Sequence, residues 1–215
     1  EVWMKSMVDG IAVKLSPRTY GVVVAGALLA VACGTGANVS DEGLKPSIGT
    51  QTNAIQGGSV DTANAYRYAV GIYDTNAGGI CSGALIAPNL VLTARHCVAE
   101  VPAESVNCGT DEFGAVTAAS NLIVTTDNTI SQTGKNYRAR KVFVPTQKTF
   151  CGNDIALIML ASSVPASEAT LVTPAVYAPI TDRAKFEMKY TAIGYGITAP
   201  SGADSSAGTR RYRQN

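Results

Sequence analysis

The sequence predicts an all-β domain, on three observations. Short apolar, β-prone runs follow one another from residue 68 onward. Turn-forming residues separate them. No stretch after Ile55 keeps a helical period for more than about two turns. The runs are 68–73, 80–86, 90–93, 121–126, 137–144, 155–160 and 190–193. Between the first two, residues 74–79 carry Asp, Asn and Gly-Gly, and Pro88-Asn89 breaks the second run from the third. Several short strands punctuated in this way build a sandwich or a barrel. No internal repeat of fixed period is present.

Composition bounds what such a domain does. The chain has 215 residues, 46% hydrophobic and 15% charged. A single all-β domain uses about 200–250 residues, and this balance lacks the low hydrophobicity and high charge of a disordered chain. The net charge of +1 leaves no electrostatic footprint for nucleic acid. The one basic cluster, Arg210, Arg211 and Arg213, reads as a solvated loop. Five cysteines are present, none in a Cys-x-x-Cys pair, with a single histidine. No zinc site of the usual spacing is expected. Disulfides are the reading for an oxidising compartment.

The N-terminal stretch points to such a compartment. Residues 21–32 are uncharged and mostly apolar, and this run is shorter than the ~20 residues that span a bilayer. Lys14 and Arg18 precede it. A basic region, a short apolar region and then small residues make a secretory signal, expected over residues 1–32. A buried core helix is the alternative. Ala30-Val31-Ala32 suits ordinary signal peptidase. Leu29-Ala30-Val31-Ala32-Cys33 also resembles a bacterial lipoprotein signal, with Ala30 where a large aliphatic residue is usual. Both routes cut the same bond. The second makes Cys33 a lipid attachment site and a membrane anchor, and accounts for the odd cysteine of five. The expected location is the bacterial periplasm, the outer membrane as a lipoprotein, or the exterior. Residues 33–54, rich in Gly, Thr, Ser and Asn, read as a flexible linker or short pro-segment. The chain begins with Glu1 and not Met, so a fragment is expected.

His96 is the only histidine. It follows an apolar strand, on a tight segment beginning at Thr93, with Cys97 beside it. A lone histidine serves structure more often than catalysis, but it titrates near neutral pH. Asp154 precedes an apolar strand. It is either a solvated turn residue or a carboxylate whose burial requires a partner.

Cys81-Ser82-Gly83-Ala84-Leu85-Ile86 followed by Val91-Leu92-Thr93-Ala94-Arg95-His96-Cys97 resembles the chymotrypsin/trypsin family of serine proteases. That family carries a Cys-x-Gly-x-Leu-Ile strand and a Thr-Ala-x-His-Cys motif. Three further matches occur in the family's order. Ile55-Gln56-Gly57-Gly58 resembles its mature N-terminus, Ile-Val-Gly-Gly. Asn153-Asp154-Ile155-Ala156-Leu157 resembles the motif holding its triad aspartate. Gly194-Tyr195-Gly196 resembles the Gly-Trp-Gly that opens its second barrel. The resemblance implies a trypsin-like double β-barrel over residues 55–215, the first barrel complete and the second only begun. It implies a serine endopeptidase acting on proteins or peptides, with no cofactor.

It also implies roles. His96 would take the proton of a serine hydroxyl, and Asp154 would hold its other ring nitrogen. Cys81 would pair with Cys97, a closure worth about 3 kcal/mol in the chain-entropy model. Cys108 and Cys151 remain, and their pairing would anchor a loop insertion within residues 106–134, where the step from His96 to Asp154 is longer than the family's usual one. Cleavage before Ile55 would free the amine that completes the oxyanion hole, although Ala54 does not suit a trypsin-like activator.

The family's Gly-Asp-Ser-Gly-Gly is absent. Ala203-Asp204-Ser205-Ser206-Ala207-Gly208 is a look-alike without the flanking glycines, and it follows Gly196 too closely. The 215 residues are therefore expected to be an inactive fragment lacking its serine. The competing reading is a non-catalytic, protease-like surface lipoprotein that binds partners. Oligomeric state is not legible.

Overall fold

The computed structural model describes residues 2–5, 12–15, 58–101, 106–198 and 206–215. Its strands are β1 (Val2–Lys5), β2 (Ala12–Leu15), β3 (Ser59–Val60), β4 (Ala69–Asp74), β5 (Ile80–Ala87), β6 (Leu90–Thr93), β7 (Leu122–Thr125), β8 (Asn136–Phe143), β9 (Ala156–Leu160), β10 (Tyr190–Gly194) and β11 (Arg211–Gln214). The described helical elements are two single 3-10 turns, Arg95–Cys97 and Ala119–Asn121. Every strand expected from residue 68 onward is present, within a residue or so of its expected ends.

Six strands close into a barrel in the order β4-β5-β6-β9-β8-β7, all antiparallel neighbours. Alternation explains its interior. Along β9, Ala156, Ile158 and Leu160 are buried while Leu157 and Met159 are only partly so. Val70, Ile72, Leu85, Val91, Leu122 and Val124 complete the same core. Burying each of the larger side chains contributes about 1.5–3 kcal/mol. β4 breaks the alternation: its first four residues are all buried. A second cluster explains this, because Tyr68, Ala69, Ala84, Val172 and Ile193 pack on the outer side of β4 and β5. Gly83 marks a tight point of the core, where an added Cβ would sit 2.5 Å from Val91 Cγ1.

The remaining strands form a five-stranded sheet in the order β1-β2-β10-β11-β3. Two pieces of the expected leader, Val2–Lys5 and Ala12–Leu15, thus pair with each other, and the second pairs with β10. β10 is thereby paired on both edges, with β2 on one side and β11 on the other. The apolar run 21–32, Cys33, the linker and Ile55 lie outside the described residues. Among the described residues, no helix is long and apolar enough to cross a membrane.

One sequence expectation is corrected. Arg210 does not belong to a solvated loop; it is fully buried. Its Nε donates to Asp61 Oδ2 at 2.9 Å. Its Nη1 donates to the carbonyls of Ala69 and Thr126 and to the Tyr195 hydroxyl, and its Nη2 to Asn64 Oδ1. Asp61 in turn accepts the backbone N–H groups of Ala65 and Tyr66. Arg210 therefore ties the turn after β3, the end of β7 and the end of β10 together. Arg211, which opens β11, is partly buried, and Arg213 on the same strand is exposed.

Candidate active site

β6 delivers the chain to the 3-10 turn Arg95–Cys97, which carries His96. Thr93, the last residue of β6, donates its hydroxyl to the Ser82 carbonyl on β5 at 2.9 Å. Cys97 forms a disulfide with Cys81, also on β5, with Cα atoms 5.8 Å apart. The turn is thus fastened to β5 on both sides of His96. Val98 N–H closes it on the Arg95 carbonyl.

Asp154 precedes β9, whose register against β6 sets Ala156 opposite Thr93. That pairing brings Asp154 to His96. Asp154 is 5% exposed. Its Oδ1 accepts the His96 backbone N–H at 2.9 Å, and its Oδ2 lies 2.8 Å from His96 Nδ1. One carboxylate therefore holds both the backbone and the ring of the histidine. An ionised carboxylate only accepts, so Nδ1 is the donor. The neutral ring then keeps its lone pair on Nε2, the state a general base requires. The His96 side chain is 21% exposed.

The residues between the two motifs form a brace. Cys108 and Cys151 are joined by a disulfide. Phe113 N–H donates to the Lys148 carbonyl and Phe150 N–H to the Asp111 carbonyl, each at 2.9 Å. Phe113 and Phe150 stack with ring centroids 4.3 Å apart. Asn153 Nδ2 donates to the carbonyl and hydroxyl of Thr149. The segment leading to Asp154 is therefore an ordered arm.

Ligand atoms of Cys81, His96 and Cys97 lie within 4.8 Å of one another. Both sulfurs belong to the disulfide and carry no thiolate charge, so the trio does not fit a metal ion. Of the look-alike nucleophile segment, residues 203–205 lie outside the described residues. The Ser206 hydroxyl bonds to Thr198 N–H and Oγ1, each at 2.9 Å, on the connection between β10 and β11.

Sequence reasoning did not single out Arg95, although it occupies the open position of the histidine motif. The signal was available, since a long cation stands in a run of small and apolar residues. It also passed over Ser82, whose hydroxyl accepts the Tyr195 N–H at 2.8 Å while its carbonyl holds Thr93.

Comparison with known proteins agrees with this geometry. The trypsin family's sequence pattern matches residues 55–212. Among solved structures, the chain resembles the scabies mite inactivated protease paralogue S-D1, with a TM-score of 0.55 and 20% sequence identity. The match covers 74% of this chain and 61% of that one, so it spans less than two thirds of the relative's length. At this identity the likeness speaks for the fold. The all-β barrel, the histidine turn carried between β6 and β9, and a family match over most of the folded residues lead to one conclusion: the chain belongs to the trypsin family.

Proposed function

We propose that this chain carries the base and its orienting carboxylate for a serine endopeptidase. The single observation behind the reading is the grip of Asp154 on His96, at 2.8 Å to Nδ1 and 2.9 Å to the backbone nitrogen. In the proposed reaction His96 Nε2 takes the proton of a serine hydroxyl as that oxygen attacks a peptide carbonyl. It then returns the proton to the leaving amine. Asp154 keeps the tautomer correct and stabilises the imidazolium while it exists. Substrates are proteins or peptides, the class that trypsin-like proteases cleave. The chemistry uses no metal and no cofactor.

The rest of the reading follows the family. No Gly-Asp-Ser-Gly-Gly occurs in residues 1–215. The serine and the remainder of a second barrel begun by β10 and β11 are proposed to come from sequence outside them. Ile55 is proposed as the activated N-terminus, and Cys33 as a site of lipid attachment after export. Two disulfides are the cysteine state of an oxidising compartment.

A second reading has an observation in its favour, because the solved relative is described as an inactivated protease paralogue. In that reading this chain is a protease-like binding protein. The buried carboxylate locked on a histidine speaks for catalysis, since a binding surface has no use for a tautomer-fixed base. Expression of the natural reading frame in full, followed by fluorophosphonate labelling, separates the two. We expect labelling that vanishes in His96→Ala, and none from residues 1–215 alone. A full-length product that stays unlabelled with the pair intact would mean a binding protein.

A further inference from the structure

Arg95 stands directly before His96, and its side chain turns inward: it is 3% exposed. Burying a guanidinium is costly unless its charge and donors are matched. No carboxylate among the described residues is within ion-pair distance of it. Its Nη1 instead donates to two carbonyls, Pro145 at 3.2 Å and Gln147 at 2.5 Å. Its Cζ lies 4.5 Å from the centroid of the Phe113 ring. Its Nε is buried without a hydrogen-bond partner. The carbonyl dipoles and the aromatic face together answer the charge. They also fix the plane of the guanidinium.

The position of those carbonyls is the informative part. Pro145 and Gln147 belong to the run between β8 and Asp154. β9 anchors Asp154 from its C-terminal side, through the Ala156 and Thr93 register. Arg95 anchors the same run from the N-terminal side, and it does so from the very turn that holds His96. Phe113 links this contact to the brace through its stack on Phe150, beside the Cys108–Cys151 disulfide. A hydrogen bond of 2.8 Å tolerates little relative movement before it weakens. A displacement of about 1 Å in a supporting shell is enough to spoil a catalytic geometry.

We propose that Arg95 is a positioning residue for the His96–Asp154 pair, setting the distance between the turn that bears the base and the arm that bears its carboxylate. The inference rests on the protease reading above, in which that pair is the base and its orienter.

His96 being the only histidine makes the test direct. The imidazole 15N resonances of the 215-residue chain, read above the ring's titration, report one residue and its tautomer. In the unsubstituted chain we expect the Nδ1–H form, because Asp154 takes that proton. Asp154→Asn is expected to release the ring to the Nε2–H form that solvated histidine prefers. Arg95→Met is expected to retain cooperative unfolding in urea yet show a mixture of the two tautomers, with the Nδ1–H resonance weakened by exchange. Arg95→Lys, which keeps a charged donor but not the planar stack on Phe113, should show a smaller shift in the same direction.

A folded Arg95→Met chain with the unsubstituted chain's tautomer overturns the proposal, because a purely structural role costs stability and leaves the ring alone. Should Arg95→Met not fold, Arg95→Lys decides: a folded chain with an unchanged spectrum overturns it equally. An unsubstituted chain already in the Nε2–H form, or one insensitive to Asp154→Asn, fails at the pair itself and so removes the protease reading first.

Discussion

Two buried aspartates of this chain are held by different kinds of basic side chain. Asp61 is 1% exposed and meets Arg210, a planar guanidinium with donors on three nitrogens. Asp154 is 5% exposed and meets His96, an imidazole that it holds at Nδ1. Their closure differs too. Arg210 is fully buried and spends its guanidinium on five acceptors. His96 keeps a fifth of its side chain exposed and is bonded through Nδ1, leaving Nε2 for a proton from elsewhere. A fully buried pair whose bonds all go to the surrounding chain serves to hold segments together. A pair whose imidazole is partly exposed and bonded on one nitrogen keeps its other nitrogen for chemistry. The same carboxylate serves as a rivet in one place and as a guide in the other.

That contrast has measurable consequences, the largest at the rivet. Arg210→Met strands the Asp61 charge in the interior, and breaking a buried pair in this way costs about 3–5 kcal/mol. Urea unfolding should show a loss of that size, and the double variant Asp61→Asn with Arg210→Met should recover part of it. A single variant within 1 kcal/mol of the parent, by the same marginal accounting, would make the pair a bystander. Next in size is the brace. Replacing Cys108 and Cys151 together by alanine removes a closure of 43 residues in sequence, worth about 2–4 kcal/mol. Hydrogen exchange should localise the loosening to residues 106–116 and 148–153, with the amides around Asp61 unaffected. Loosening spread evenly over both regions would erase the distinction drawn between them.

Asp154→Asn tests the other half. Asparagine keeps the shape of the aspartate and His96 is partly exposed, so the cost to stability is that of imperfect hydrogen bonding, about 1–3 kcal/mol. The fold should survive, while His96-dependent fluorophosphonate labelling of the full-length protein disappears. If Asp154→Asn unfolded the chain as thoroughly as Arg210→Met, the two pairs would be alike in kind.

The two pairs also differ in how far the sequence announces them. The barrel strands are short apolar runs between turns, which is local information. His96 and Asp154 sit in motifs whose residues are contiguous, so each is recognisable before any contact is known. Arg210 and Asp61 are far apart in sequence, and neither lies in a run that distinguishes it. Three arginines in four residues look solvated until Asn64, Ala69 and Thr126 converge on one of them. Arg95 stands out in the sequence as a long cation among small and apolar residues, but its role does not. The motif leaves its position open, and only the fold places two carbonyls and an aromatic ring around it. The pairing of β2 with β10 joins residues nearly at opposite ends of the described chain, and no local pattern encodes it.

The smallest effect lies beside the rivet and sharpens its description. The Tyr195 hydroxyl donates to the Asp127 carbonyl at 2.6 Å and accepts from Arg210. Burial pushes its pKa up, Arg210 pulls it down, and burial wins, leaving it at about 12 against an ordinary 10.0. The unfolded chain therefore releases this proton first. Stability from this group is fully present below pH 10.0 and drains away as pH rises toward about 12. Tyr137, raised to about 12 by burial and by its bond to Glu168, adds to the slope in the same window. Tyr195→Phe should cost about 1 kcal/mol at neutral pH through the lost hydrogen bonds. It should also flatten the alkaline fall in stability without abolishing it. An unchanged slope between pH 10 and 12 would mean that Tyr195 ionises freely in the folded chain, and that Arg210, not burial, governs the interior at that point.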